Sequence, residues 1–311
     1  MKVALGYFIL LVTLLVAVFR NHRWAVFGMI ACDNIRPGDE YIQFGMETVR
    51  FSISYYAVAL ALLLVFYKRY RLTSDRFHWA VLLLFLAVVN SALNAHCWGP
   101  AVVQIDNYFK MLLQYYLICA FCRNEKHMRE LYWAIGLSVV TVAIRYCYGK
   151  FLLGEFRFEG ATGDRNEMAM AMVMAVPFMV MIGLTAKQRF VKLIAWSTLV
   201  PLALSILFSL SRGGMLGLGA VGAYMLYRLH HKRWLLVLGV FVAIVGVLNL
   251  PTEIVARFMT IGTATKKDAS TIGRLNAWGA ARAILRDRPL TGIGTGNFLV
   301  RFRQYAPDPY D

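Results

Sequence analysis

Acidic residues are scarce in this chain, and signatures of familiar active sites are scarcer. It has 17 Asp and Glu against 33 Lys and Arg, a formal net charge of +16 at pH 7. In a soluble protein that balance would suggest a nucleic-acid partner. No soluble basic domain and no groove-entering motif accompanies it, so nucleic acid is set aside. Cysteines number five, at 32, 97, 119, 122 and 147. Cys119 and Cys122 spell C-x-x-C, but no second pair completes a zinc site and no strand precedes them. They read as two thiols on one face of a buried helix. Neither H-E-x-x-H nor G-x-S-x-G occurs, and no metal or organic cofactor is expected. The first apolar run is followed by Arg20-Asn-His-Arg23 and no small-residue cleavage site, so it reads as a retained segment. No internal repeat with paired broken helices is evident, which weakens a transporter reading.

What the chain has in excess is apolar length. Of its 311 residues 59% are hydrophobic, and mean hydropathy is +0.57, against roughly 45–50% apolar in soluble domains. The excess falls in runs long enough to span a bilayer. We read spans at Val3–Phe19, Val49–Tyr67, Trp79–Leu93, Ala101–Phe121, Leu131–Tyr148, Glu167–Leu184, Val191–Ser209, Gly213–Tyr227 and Trp234–Leu250. A tenth patch, Trp24–Cys32, is short and suits a re-entrant segment. The expected fold is all-α: a polytopic transmembrane bundle of about nine or ten spans, with a partial periplasmic loop containing short helices.

Basic clusters sit on alternate turns: Lys68, Arg69, Arg71 and Arg76, then Arg123, Lys126 and Arg129, then Lys187, Arg189 and Lys192, then Arg228, Lys232 and Arg233. By the positive-inside rule these turns face the cytoplasm. The turns at 94–100, 149–166 and 209–214, and everything after Pro251, then lie on the far side. Nine spans put the N-terminus in the cytoplasm; a crossing at Trp24–Cys32 reverses it.

Three far-side motifs carry candidate chemistry. In Ser209-Leu-Ser-Arg212-Gly-Gly214, Arg212 opens a helix, where the dipole disfavours a cation. An anion held between the guanidinium and the free N–H groups would relieve this. Gly213 and Gly214 would admit a phosphate to the backbone, and Gly213, Gly217, Gly219 and Gly222 would let helices pack closely. A snorkelling arginine beside packing glycines fits the same residues. The second motif runs from Ser270 to Pro289. Ser270 or Thr271 can cap a helix that Pro289 ends, and Arg274, Trp278, Ala281 and Leu285 form one stripe facing protein or lipid. The third, Pro289-Leu-Thr-Gly-Ile-Gly-Thr-Gly-Asn297-Phe298, reads as a tight turn delivering Phe298 to an interface; its spacing and its proline exclude a dinucleotide fingerprint. A weaker site is Gly163-Asp164-Arg165-Asn166-Glu167, where Asp164 or Asn166 suits a helix cap. Within a span, Asp106 and Lys110 can pair at i, i+4.

The order of these motifs resembles the O-antigen ligase and polymerase superfamily of bacterial envelope glycosyltransferases, most strongly from about Ser205 to Phe298. The early segments resemble the branch associated with exosortase systems. The resemblance implies two regions: transmembrane helices over 1–190, and an O-antigen ligase-like region over 191–311. It implies a multi-pass protein of the bacterial inner membrane, active at its periplasmic face. The activity implied is metal-independent, inverting transfer of a glycan from a polyprenyl diphosphate to an acceptor glycolipid such as lipid A core. Arg212 and Arg274 would hold the diphosphate as catalytic residues. Ser211, Gly213, Gly214, Trp278, Asn297, Asp164 and Asn166 would bind substrate. The sequence departs from the family at Arg165, where a proline is usual. It also offers no counterpart of the family's loop histidine and ends 13 residues after Phe298. We expect it to be a piece of a longer protein, inactive alone. The rivals are the related polymerase, a transporter or flippase of a lipid-linked sugar, and a non-catalytic assembly subunit.

Overall fold

A computed structural model describes residues 2–35, 51–70, 75–152, 164–209, 211–228 and 269–306. The expected span Trp234–Leu250 lies outside the described residues. Among the described residues the secondary structure is helical throughout, with no strand. The chain divides into two compact units, one formed by Met1–Val65 with Phe121–Ile261, the other by Phe66–Ala120 with Gly262–Asp311.

The first unit contains α1 (Lys2–Phe19), α2 (Arg23–Ile35), α3 (Phe51–Val65), α6 (Glu125–Leu152), α7 (Arg165–Thr185), α8 (Arg189–Ser197), α9 (Leu199–Phe208) and α10 (Arg212–Arg228). Its core is built where α6, α7 and α9 meet, around Val139, Val140, Ala143, Met172, Met179 and Leu202. Small residues allow the close approaches. A Cβ on Gly136 would lie 2.2 Å from the Met179 sulfur, and one on Gly183 would lie 2.9 Å from the Trp196 ring. The span read as Val191–Ser209 is two helices meeting at Thr198. Pro201 explains the break: without an N–H it cannot bond the Ser197 carbonyl, and its ring crowds that turn. The Ser197 and Thr198 hydroxyls donate to the Ile194 and Ala195 carbonyls there.

The second unit contains α4 (Arg76–Leu93), α5 (Trp98–Phe121), α11 (Ala269–Asp287) and α12 (Phe298–Tyr305). Asp75 caps α4 by accepting from the Phe77 N–H. The antiparallel pair α4 and α5 is joined by side chains along its length. His78 meets Tyr115 and Tyr116, and Phe85 meets Phe109. Asp106 and Lys110 form the ion pair their spacing suggests.

Four described helical stretches are long and apolar enough to cross a bilayer: Arg76–Leu93, Glu125–Lys150, Arg165–Thr185 and Arg189–Phe208. Ile53–Val65 is apolar but shorter. The nine or ten spans expected from the sequence are not reached among the described residues. The re-entrant candidate Trp24–Cys32 is part of α2, whose 13 residues extend only about 20 Å at 1.5 Å per residue.

Candidate functional site

The start of α10 is assembled by a chain of hydrogen bonds within the first unit. Ser211 is its N-cap: the hydroxyl oxygen accepts from the Gly214 N–H at 3.1 Å, satisfying one of the helix's orphan donors. The same hydroxyl donates to Oδ1 of Asn166 at 2.8 Å. Asn166 in turn donates its backbone N–H and its Nδ2 to Oδ1 of Asp164, at 2.7 and 3.1 Å. Asp164 is therefore the cap of α7. Asn166 bridges that cap to the cap of α10, 45 residues along the chain. Ser211 is 2% exposed, so this bridge is an internal fastening. Four residues read from the sequence as substrate-binding, Asp164, Asn166, Ser211 and Gly214, thus form one polar assembly.

The two glycines after Arg212 differ. A Cβ on Gly214 would lie 2.6 Å from the Cβ of Ala169, so Gly214 sets the distance between α10 and α7. A Cβ on Gly213 would meet nothing closer than the Ser211 hydroxyl at 3.9 Å, and Gly213 is exposed. Arg212 is half-buried beside it. Among the described residues the close packing expected of Gly213, Gly217, Gly219 and Gly222 is not seen. Gly217 makes ordinary contact with Val173, while Gly219 and Gly222 have no described atom within 4 Å of an added Cβ.

In the second unit the glycine-rich turn docks on the connection between α4 and α5. Gly292, Gly294 and Gly296 have φ of 63°, 93° and 74°, the left-handed region that side chains disfavour. An added Cβ would lie 2.3 Å from the Ala95 Cα at Gly294 and 2.5 Å from the Pro100 carbonyl oxygen at Gly296. Asn297, fully buried, completes the seam. Its Oδ1 accepts from the Cys97 N–H at 2.8 Å, and its Nδ2 donates to the Cys97 and Thr295 carbonyls, each at 3.1 Å. Ser91 donates to the Thr291 carbonyl at 2.8 Å. Phe298, which opens α12, packs its ring against Phe302 at 5.7 Å.

The stripe on α11 needs a second correction. Arg274, Trp278, Ala281 and Leu285 are all exposed, with Trp278 and Leu285 each at 61%. The helix instead buries Ala280 and Ile284, flanked by the half-buried Asn276, Ala277 and Ala283. α12 packs against α11, and that partner was invisible in the helix's own periodicity. Burial therefore does not oblige Arg274 to find a partner. The helix begins at Ala269, ahead of Ser270 and Thr271, and ends at Asp287, two residues before Pro289.

The far ends of α11 and α12 are latched by a bond from the Tyr305 hydroxyl to Oδ2 of Asp287 at 2.6 Å. Donation to the carboxylate, with some burial and the carboxylate's charge, raises the Tyr305 phenol above its ordinary value; Arg288 and Arg301 pull the other way. Arg301 donates from Nη1 to Gln304 at 2.7 Å. Its buried Nε has no hydrogen-bond partner among the described residues. Among the described residues no three His, Cys, Asp or Glu come together as metal ligands would.

Residues 197–310 match the family model described as O-Antigen ligase. That stretch supports the resemblance to the O-antigen ligase and polymerase superfamily. No curated protein and no solved structure matches the chain. The matched stretch contains Ser211, Arg212, Gly213, Gly214, Arg274, Trp278 and Asn297. Asp164 and Asn166 precede it, yet they fasten its Ser211. Arg212 stands in the first unit and Arg274 in the second. Sequence reasoning missed the partners of the glycine turn, Ser91, Ala95 and Cys97. Three alternating glycines announced a close backbone approach, but nothing in the motif named the surface approached.

Proposed function

We propose that the chain is a membrane glycosyltransferase of O-antigen ligase type, moving a glycan from a polyprenyl diphosphate to an acceptor sugar at the periplasmic face of the bacterial inner membrane. The start of α10 carries this reading. Its cap is held from behind by Asn166, so Arg212 and the open Gly213 are presented on a fixed helix N-terminus, the natural seat of a phosphate. Two agreements support the sidedness. Turns assigned to one side by charge alone meet in each unit: Asn166 with Ser211, and the Cys97 turn with Asn297. In this reading residues 1–190 form the membrane scaffold and 191–311 the ligase region.

In the reaction an acceptor hydroxyl attacks the anomeric carbon, its proton passing to a general base, and the bond from that carbon to the phosphate oxygen breaks. The electron pair stays on the diphosphate, whose charge rises in the transition state. In this reading Arg212 and Arg274 both act on that diphosphate and stabilise its charge, an electrostatic role that operates without a metal. Asn297 and Trp278 act in the second unit, Asn297 by holding the turn that follows α11. Polymerisation of repeat units would use the same donor chemistry, and the length distribution of the product separates it from single transfer to core.

The test replaces Arg212 and Arg274 by Ala in the full-length protein and measures glycan reaching its acceptor. Each change is expected to abolish most transfer while the protein still reaches the membrane. Lys is expected to rescue poorly, because it lacks the planar fork that grips phosphate. Normal transfer with both arginines replaced overturns the site.

A further inference from the structure

The first unit contains a cavity of about 790 Å³, within the roughly 300–1,000 Å³ of ligand pockets. It lies at the opposite end of α6 from the start of α10, so it is distinct from the site above. Its walls come from α1, α2, α3 and α6, and are mostly apolar: Ile9, Trp24, Phe27, Ala31, Trp133 and Leu137. Polar side chains at and beside its inner end are hydrogen-bonded. Thr13 and Tyr55 share a hydrogen bond of 2.5 Å, Asn34 donates to Ser138 at 2.9 Å, and the Thr141 hydroxyl donates to the Leu137 carbonyl. A mostly apolar space suits hydrocarbon better than water.

The depth and the mouth name the occupant. The α6 lining runs from Glu130 to Thr141, about 17 Å at 1.5 Å per residue. Half of a roughly 30 Å hydrocarbon core is about 15 Å, so the cavity is as deep as one leaflet. Its mouth is fixed by the ion pair between Arg23 and Glu130 at 2.8 Å. That pair brings the turn between α1 and α2 beside the start of α6, where Arg123, Lys126 and Arg129 are exposed. Arg20, also exposed, directly precedes Asn21, which lines the cavity, so cations outnumber carboxylates on the turns near the mouth. Basic pockets of this kind on the cytoplasmic side attract anionic headgroups.

We infer that this cavity holds one acyl chain of an anionic phospholipid drawn from the leaflet of the basic turns, with its phosphate at the Arg20 rim. The lipid fills space between α1–α3 and α6 that the side chains leave open, and ties the N-terminal helices to the rest of the unit. The sidedness also follows: the α1–α2 turn shares the cytoplasmic side with the start of α6, so α1 begins on the far side if it spans.

The full-length protein, purified in mild detergent, is analysed by native mass spectrometry, stripped of lipid, and then supplied with phosphatidylglycerol or phosphatidylcholine. We expect one retained anionic phospholipid per chain, and a thermal midpoint restored by phosphatidylglycerol alone. Ala31→Phe and Thr141→Phe, which enter the cavity from α2 and α6, should each lose the retained lipid. Ile53→Phe, outside the lining, should keep it. Arg20→Gln should lower affinity for phosphatidylglycerol about fivefold, as expected for one cation near a lipid surface. Equal restoration by both lipids overturns the anionic assignment. Absence of retained lipid from the unmodified protein overturns the site, as does retention unchanged in Thr141→Phe, whichever variant folds less well.

Discussion

The two units each fasten a helix start through an asparagine, half-buried in one and fully buried in the other, and they do it to different effect. In the first, Asn166 holds the Ser211 hydroxyl from inside, leaving Arg212 half-buried and Gly213 exposed at the rim. In the second, Asn297 commits both ends of its amide to the Cys97 backbone and lies fully buried. One fastening presents a helix terminus; the other closes a seam. Residues of one chemical type, read alike from a motif, therefore divide into those that display a site and those that hold it together. The comparison predicts that changes at the displayed rim harm transfer more than stability, and that changes at the seam harm both in step.

The largest expected effect is at Arg212. Arg212→Ala should cost on the order of 10²–10³ in transfer rate, the usual loss for one transition-state donor, with the thermal midpoint nearly unchanged. Asn297→Ala should instead leave a buried N–H and carbonyl of Cys97 unpaired, about 1–3 kcal/mol for each group. Transfer and thermal midpoint should then fall together, and a variant that loses transfer while keeping its midpoint would move Asn297 to the displayed class.

The neighbouring glycines sharpen the same contrast. Gly214→Ala forces a Cβ to 2.6 Å from Ala169 and should destabilise by about 1–3 kcal/mol, as overpacking does. Gly213→Ala has open space and should change stability by less than about 0.5 kcal/mol, while weakening donor affinity if a phosphate sits there. Thermal unfolding of the pair, with donor titration, separates the two roles. Ser211→Ala removes a cap worth about 1 kcal/mol and orphans Asn166, so it should fall between them.

The smallest effect concerns the Tyr305–Asp287 latch. The phenol's value is raised in the folded state, so its contribution is complete below the ordinary phenol value near 10 and is lost as pH rises through the folded value above it. Protease protection of α12 should decline with pH in that alkaline window, and Tyr305→Phe should abolish that dependence.

Much of this was legible in the sequence, for identifiable reasons. Asp164 as a cap, Ser211 through Gly214 as a helix start and the bend before Pro289 are local choices, set by side chains acting on their own backbone. The alternation of basic turns also grouped segments that meet in each unit. What could not be read was tertiary. The link from Asn166 to Ser211 crosses 45 residues, and the face of α11 depends on α12. The stripe through Trp278 faces outward, and the helix buries Ala280 and Ile284 in its place. Pro201 was visible throughout and should have divided Val191–Ser209 into two helices.

We propose that Arg212 and Arg274 act on one diphosphate, and a double-mutant cycle on transfer rate tests that proposal most directly. Arg212→Ala, Arg274→Ala and the double variant are compared with the unmodified full-length enzyme. Shared contact predicts a coupling of about 0.5–3 kcal/mol, the double variant being little worse than either single one. Losses that add to within about 0.3–0.5 kcal/mol would mean that the two guanidinium groups act on separate ligands, and would contradict the account.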